Sequence, residues 1–472
     1  MRRPWLSLSA AILCILIAAA SVVYYRFRAR IVGPPVPECG GAPLPRRSFS
    51  PAIRLFAPGG GSDSDLEPTA ALMPDGSVAV AFMSMHGFLP DNVLVAGKIP
   101  LDGAPQLTTV RSDRKKAYDP WLTTSADGMV HLFWLGHDSG IPEKRMQVAW
   151  SSSRDALRWS VPIDAHAPSD CPEGVRGCLD KPMATWAGDA AALFYYSVPG
   201  GGLRTARLEQ GVRASASALV GDGAYGDVTT DARGNIHLVY VNTGTESKSR
   251  YGNTATWIEY RTSRDGGRTF SSPARVSAAD VPMPLLFASP RVAVDADRGF
   301  IYVAYPTGTD DLRWDLTLAA SADGGRSWRY AQVNDDPHCA NHMLPMLAVD
   351  PKTGKAHIAW FENRTGAGGV AHTTCAPGGA PCLPNEAVSA SPFASYRLGR
   401  HGRDWVGDYA AMVLDPERRL LHVIWGQPVD EGGRPASRIF YAVSRLEPGQ
   451  AQRHRDESKT PTRTAASILN QR

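Results

Sequence analysis

Two octapeptides constrain this chain more than any other stretch: Ser263-Arg264-Asp265-Gly266-Gly267-Arg268-Thr269-Phe270 and Ser321-Ala322-Asp323-Gly324-Gly325-Arg326-Ser327-Trp328. Both spell S-x-D-x-G-x-[ST]-[FW], and the chemistry suits a tight turn between two strands. A buried Asp carboxylate accepts hydrogen bonds from turn N–H groups and from the Ser/Thr hydroxyl. Glycine admits positive φ, and the closing aromatic anchors the turn in a hydrophobic core. Ser153-Arg154-Asp155, running on to Trp159, is a shortened third copy without the glycine.

The turns belong to a repeat. From Phe49 onward short alternating strands separated by Gly, Asp and Pro dominate. Phe82, Trp134, Tyr196, Tyr240, Tyr305, Trp360 and Trp425 each close an apolar strand, with gaps of 52, 62, 44, 65, 55 and 65 residues. Three residues earlier stand Ala79, His131, Leu193, His237, Tyr302, His357 and His422. A position that accepts Ala, Leu and Tyr is a packing position, so its histidines read as core. Units of this size hold four short strands, and seven such units predict an all-β, seven-bladed propeller, with six blades as the alternative. The last unit lacks a fourth strand after Tyr441–Arg445, and Pro51–Phe56 before the first unit is an orphan. Lending that N-terminal strand to the last blade closes the ring and removes a sheet edge.

The ends set the compartment. Pro4–Tyr25 is apolar and follows Arg2-Arg3, long enough to span a bilayer as an N-terminal membrane-anchor helix. Ala18-Ala19-Ala20 also offers a signal-peptidase site, so residues 1–30 read as signal anchor or signal peptide. Either exports the bulk of the chain, as a single-pass protein facing the periplasm or cell exterior, or as a secreted one. Residues 31–48 form a Pro-rich linker, 49–446 the repeat region, and 447–472 a polar tail without apolar period, which reads as disordered. The net charge of +4 comes largely from arginines at the two ends. No basic stripe interleaved with aromatics exists, which argues against a nucleic-acid partner. Cys171 pairs naturally with Cys178 and Cys375 with Cys382, each across a short loop that offers no zinc-ligand spacing. Local disulfides fit an oxidising compartment, and Cys39 and Cys339 remain.

The octapeptides resemble the Asp box, or BNR repeat, of sialidase-like β-propellers. Trp360-Phe361-Glu362-Asn363-Arg364 is similar to the W-x-[DE]-x-R segment of bacterial members, and Gly407-Asp408-Tyr409 to their G-D-Y segment. The resemblance spans roughly Phe49 to Arg445. It implies that the Asp boxes are scaffold on one face, and that function sits on the opposite, axial face. Loops there carry Asp63, Asp65 and Glu67; Tyr118 and Asp119; Asp180 and Lys181; Tyr225 and Asp227; Arg291; Asn341 and His342; and Arg403, Asp404, Trp405 and Asp408.

Carboxylates alternating with arginines and aromatics around a cleft suit sugar recognition or glycoside hydrolysis. On position in the repeat, Glu362, Asp408, Tyr409 and Asp119 are the candidate catalytic residues. Arg291, Arg364, Arg403, Trp405, Asp65 and Glu67 are the candidate ligand-binding residues, the arginines as a carboxylate clamp and Tyr409 or Tyr118 as nucleophile beside Glu362. No metal or other cofactor is expected, although Asp63-Ser64-Asp65-Leu66-Glu67 offers hard oxygens for Ca²⁺ without EF-hand spacing. The sialidases' early [FY]-R-I-P segment has no match here. A glycan-acting enzyme, of exo-sialidase type, and a non-catalytic binding or scaffold propeller of the envelope therefore both stay open.

Overall fold

The computed structural model describes residues 40–446 except for 60–61, 87–90, 139–145, 172–176, 198–200, 210–211, 213, 215, 243–254, 279–280, 283–288, 309–313, 337–339 and 394–405. The proposed anchor, Cys39, Cys339, Arg403, Trp405 and the tail all lie outside the described residues. No described helix is long and apolar enough to cross a membrane.

Among the described residues the strands form seven antiparallel sheets, six of them built in chain order. Blade 1 is Ser64–Leu72, Val78–His86, Asp91–Ile99 and Gln106–Val110. Blade 2 is Lys116–Thr124, Val130–His137, Met146–Ser153 and Ile163–Asp164. Blade 3 is Leu179–Ala187, Ala190–Ser197, Gly202–Glu209 and Ala218–Gly221. Blade 4 is Gly223–Thr230, Ile236–Asn242, Ala255–Ser263 and Ala274–Arg275, with Val281–Pro282 added to its third strand. Blade 5 is Arg291–Asp295, Phe300–Gly308, Trp314–Ser321 and Arg329–Gln332, and blade 6 is His342–Val349, Ala356–Glu362, Gly369–Cys375 and Glu386–Ala387. Blade 7 is Ala411–Asp415, Leu420–Asp430 and Pro435–Arg445, completed by Ile53–Leu55 from the N-terminal side. Ile53 faces Tyr441 and Leu55 faces Ile439 in that closing pair. The seven-bladed expectation and its N-terminal closure both hold.

Each hydrophobic core lies between two blades. Ala81, Leu94 and Leu122 meet Trp134 between blades 1 and 2, and Leu55 and Ile439 meet Val80 and Phe82 between blades 7 and 1. Because both faces of a blade are covered, second strands such as Val78–Met83 are buried at every residue, which explains their unbroken apolar runs. In blade 3 the sequence register slips by one residue. Ala187 pairs Ala190 across the two-residue Gly188-Asp189 turn, and Trp186 pairs Ala191, whereas blade 1 leaves five residues between the paired Leu72 and Val78. The equivalent of Phe82 is therefore Tyr195, fully buried, and not the half-buried Tyr196. The shorter hairpin moved the strand by one step, and one step exchanges its faces.

The histidine column is core, as read. His131 Nδ1 accepts from Trp150 Nε1 at 3.1 Å. His237 and His422 bond the hydroxyls of Tyr260 and Tyr441 at 2.7 and 2.8 Å. The Asp boxes form the expected turns: Asp265 accepts from Thr269 N at 2.9 Å and Thr269 Oγ1 at 2.6 Å, and Asp323 repeats both contacts with Ser327. One expectation needs correcting, because these carboxylates are not buried. The box sits on the rim, where local hydrogen bonds alone hold the turn. The box's serine and second glycine are buried, and its aromatic packs on the neighbouring blade: Phe270 edge-on against Phe194 of blade 3, and Trp328 against Tyr260 of blade 4. In the shortened copy Ala156 takes the left-handed φ of 57° that glycine holds elsewhere. Cys171–Cys178 and Cys375–Cys382 are disulfides, the second closing the turn where blade 6 lacks an Asp box.

Candidate functional site

The first strand of each blade starts on the axial face, and one position there recurs around the ring. It is occupied by Glu67, Asp119, Lys181, Tyr225, Ser289, Leu344 and Tyr409, and a proline follows in blades 1, 2, 3, 5 and 6. Glu67, Asp119, Lys181, Tyr225 and Leu344 have φ between 46° and 55°. The ladder shifts register at each of these five, as between Leu66 and Thr69 or Asp180 and Met183. A left-handed non-glycine residue costs on the order of 1 kcal/mol. Repeating that cost at one level marks a bulge that aims a side chain at the axis, and proline suits a position whose N–H is out of the ladder.

Four blades meet at Lys181. Its Nζ lies 2.5 Å from Asp119 Oδ1, 2.8 Å from Asp408 Oδ2 and 3.7 Å from Glu67 Oε1. The Lys181 side chain is 14 % exposed and that of Glu67 2 %. Tyr409 turns its ring to the ammonium at 5.4 Å and donates its hydroxyl to Pro120 O at 3.2 Å. The Asp408 N–H donates to Glu67 Oε1 at 3.2 Å. Gly407 makes this contact possible: a Cβ there would stand 2.4 Å from Glu67 Cγ.

The charges do not balance, since one ammonium faces Glu67, Asp119 and Asp408, with Asp180 adjoining. Burial raises Glu67 well above the ordinary glutamate range, and the neighbouring Asp119 and Asp408 raise it further against the pull of Lys181. Burial and Asp119 likewise push Asp180 up to about 6. Lys181 is held protonated by its carboxylates despite the cost of burying it. Burial, then the surrounding acids, keeps the Tyr409 phenol protonated. The result is a Glu that holds its proton well above the ordinary range, beside three further carboxyls. Glu67 Oε2 and Asp408 Oδ1 are buried with no hydrogen-bond partner. Beneath this cluster a cavity of ≈ 250 Å³ follows the axis, lined by Thr69, Trp121, Asp227, Arg291, Met346 and Tyr409 among others.

The remaining candidates lie elsewhere. Glu362 and Arg364 pair with each other in blade 6, and the Arg364 guanidinium also reaches Asp335 Oδ1 at 2.9 Å and Asn385 Oδ1 at 3.2 Å. Arg291 faces Asp227 at 3.6 Å and donates to Pro345 O at 3.2 Å. Neither described arginine leaves a free fork for a substrate carboxylate, and Glu362 is not placed beside Tyr409. Tyr118 stacks on His137 at 5.2 Å. Asp65 accepts from Ser84 and Ser62 at 2.8 and 3.0 Å, while Glu67 turns to Lys181, so the two do not converge as Ca²⁺ ligands. Among the described residues no group of three or more His, Cys, Asp or Glu is placed to hold a metal. Lys181 is the residue that sequence reasoning named on this face without giving it a role. The missed signal was the column itself, six or seven residues ahead of each inner turn and mostly followed by proline.

Residues 215–381 match the family described as BNR repeat-like domain. No curated protein matches the chain. Among solved structures it is similar to a protein of unknown function from Dyadobacter fermentans, at 13% identity and TM-score 0.50, covering 85% of this chain and 99% of that one. It is also similar to an alpha-L-arabinofuranosidase from Fusarium graminearum (12% identity, TM-score 0.44, covering 85% and 99%) and to a Hadza microbial sialidase (12%, TM-score 0.47, covering 82% and 66%). The BNR recognition drawn from the Asp boxes is borne out, and the Dyadobacter likeness agrees with the fold.

Proposed function

We propose that this BNR-repeat, sialidase-like β-propeller is an exported protein that binds a glycan across its axial face, and that the carboxylates around Lys181 act on it. One observation carries the reading: three blades use the same strained strand position to bring Glu67, Asp119 and Lys181 together, and blade 7 adds Asp408 and Tyr409 from the segment before its first strand. A proton-holding carboxyl beside an ionised one is the pairing that glycoside hydrolysis requires. Glu67 then serves as proton donor, an Asp as the base or nucleophile, and Tyr409 as a wall for the sugar ring. The solved relatives titled as an arabinofuranosidase and a sialidase agree in chemistry class with this reading, and the two disulfides agree with export.

A second reading has its own support. Lys181 occupies the space between the carboxylates, and a salt-bridged plug of this kind suits a non-catalytic binding propeller. A panel of chromogenic glycosides, arabinosides and sialosides separates the two. Turnover by wild type that Asp408→Asn and Glu67→Gln reduce by about 10²-fold or more supports hydrolysis. Glycan binding without turnover supports the second reading, and neither turnover nor glycan binding overturns both.

A further inference from the structure

The other end of the blades holds a second site. A cleft of ≈ 380 Å³ opens between blades 6 and 7, where the N-terminal segment crosses them. Strand Ala356–Glu362 fixes its position: the Ala356 end borders the cleft and the Glu362 end lies on the axial side. Four cations line the cleft, Arg47, Lys355, Arg419 and Arg445, against the carboxylates of Asp350 and Glu386.

Both carboxylates are already engaged. Asp350 Oδ2 receives Arg419 Nη1 at 3.2 Å. Glu386 accepts from Ser48 Oγ at 2.7 Å and Ser48 N at 3.0 Å, and faces His372 Nδ1 at 3.0 Å. His372 in turn stacks on His357 with ring centroids 5.6 Å apart. Arg47, Lys355 and Arg445 make no ion pair with a carboxylate among the described residues, and they line the open cleft together with Thr353, Thr373 and Thr374. Guanidinium groups meet oxyanions bidentately, and three cations lining one cleft match a ligand carrying two or more such groups.

We propose that this cleft binds a small ligand bearing two or more phosphate or sulfate groups, independently of the axial site. The chemistry is shared by a soluble phosphorylated compound and by a phospholipid headgroup. Calorimetric titration of the full chain with inorganic pyrophosphate tests it. The expected result is one-site binding that weakens with added salt. It should be at least about tenfold weaker in Lys355→Glu/Arg445→Glu and unchanged in Asp408→Asn on the opposite face. Both reversed side chains are solvent-accessible, and Arg47→Ala supplies a milder variant with a smaller loss in the same direction. No binding by wild type, or equal binding by the charge-reversed protein, would overturn the proposal. Sedimentation with cardiolipin vesicles, whose headgroup carries two phosphates, against phosphatidylcholine vesicles identifies the source. Anionic-vesicle binding displaced by pyrophosphate supports a headgroup, and pyrophosphate binding without vesicle binding supports a soluble ligand.

Discussion

Lys181 is the residue on which the axial site depends. Three carboxylates within 3.7 Å of its ammonium are tolerable only while it is there. Removing one partner of a buried ion pair typically costs about 3–5 kcal/mol, because the other charge is left uncompensated. Lys181→Met should lower the unfolding free energy by that order in urea titrations, and adding Asp119→Asn should recover part of the loss. A loss below about 1 kcal/mol would mean that water already compensates the cluster. The column histidines give a pH signature. Burial lowers His131 and His422 to about 4, below the ordinary value near 6.5. The unfolded chain then binds more protons between pH 6.5 and 4, so stability falls as pH drops through that window, on the order of 1–3 kcal/mol per histidine. Asp180, raised to about 6, contributes the opposite slope between about pH 4 and 6, so the comparison must be with a variant. His131→Gln should flatten the pH dependence of the urea midpoint between pH 7 and 5. An unchanged slope would contradict the assignment.

At the scale of elements, the closing strand and the Asp boxes make different demands. Ile53–Leu55 has only three residues, yet Leu55 is fully buried in the core between blades 7 and 1. Leu55→Ala should cost about 2–5 kcal/mol, measured as a shift in the denaturant midpoint. A cost near zero would show that the ring closes without its N-terminal strand. The Asp boxes should matter less. Asp265 is lowered to about 2, chiefly by the Thr269 hydroxyl and N–H, so its contribution is complete above about pH 4 and is lost as pH falls towards 2. These elements were legible in the sequence because turn chemistry and apolar runs are local. Pro51–Phe56 was legible as well, since a blade without a fourth strand leaves an edge that something must cover. The blade 3 register was not legible. Tyr195 and Tyr196 are both apolar-aromatic neighbours, and only the pairing of Ala187 with Ala190 tells which one faces the core.

Over the whole molecule, the Asp boxes mark one face and the strained column marks the other. Asp119, Asp408 and Tyr409 were readable as axial residues from their place in the repeat. Their convergence was not, because it depends on blades far apart in sequence, with Glu67 and Asp408 touching across 341 residues. Glu362 and Arg364 were misleading for the opposite reason: a familiar segment brought them to notice, and in the fold they neutralise each other within blade 6. The Asp boxes and the Glu362–Arg364 segment track the scaffold, whereas the candidate chemistry joins the G-D-Y segment's Asp408 and Tyr409 to a column whose residue types differ from blade to blade. The most direct test is glycan-array binding by the wild-type chain compared with Glu67→Gln and Asp408→Asn. Selective glycan binding that both substitutions weaken by about tenfold or more is the predicted result. An array on which wild type binds nothing, or on which both variants keep the wild-type profile, would contradict the axial site.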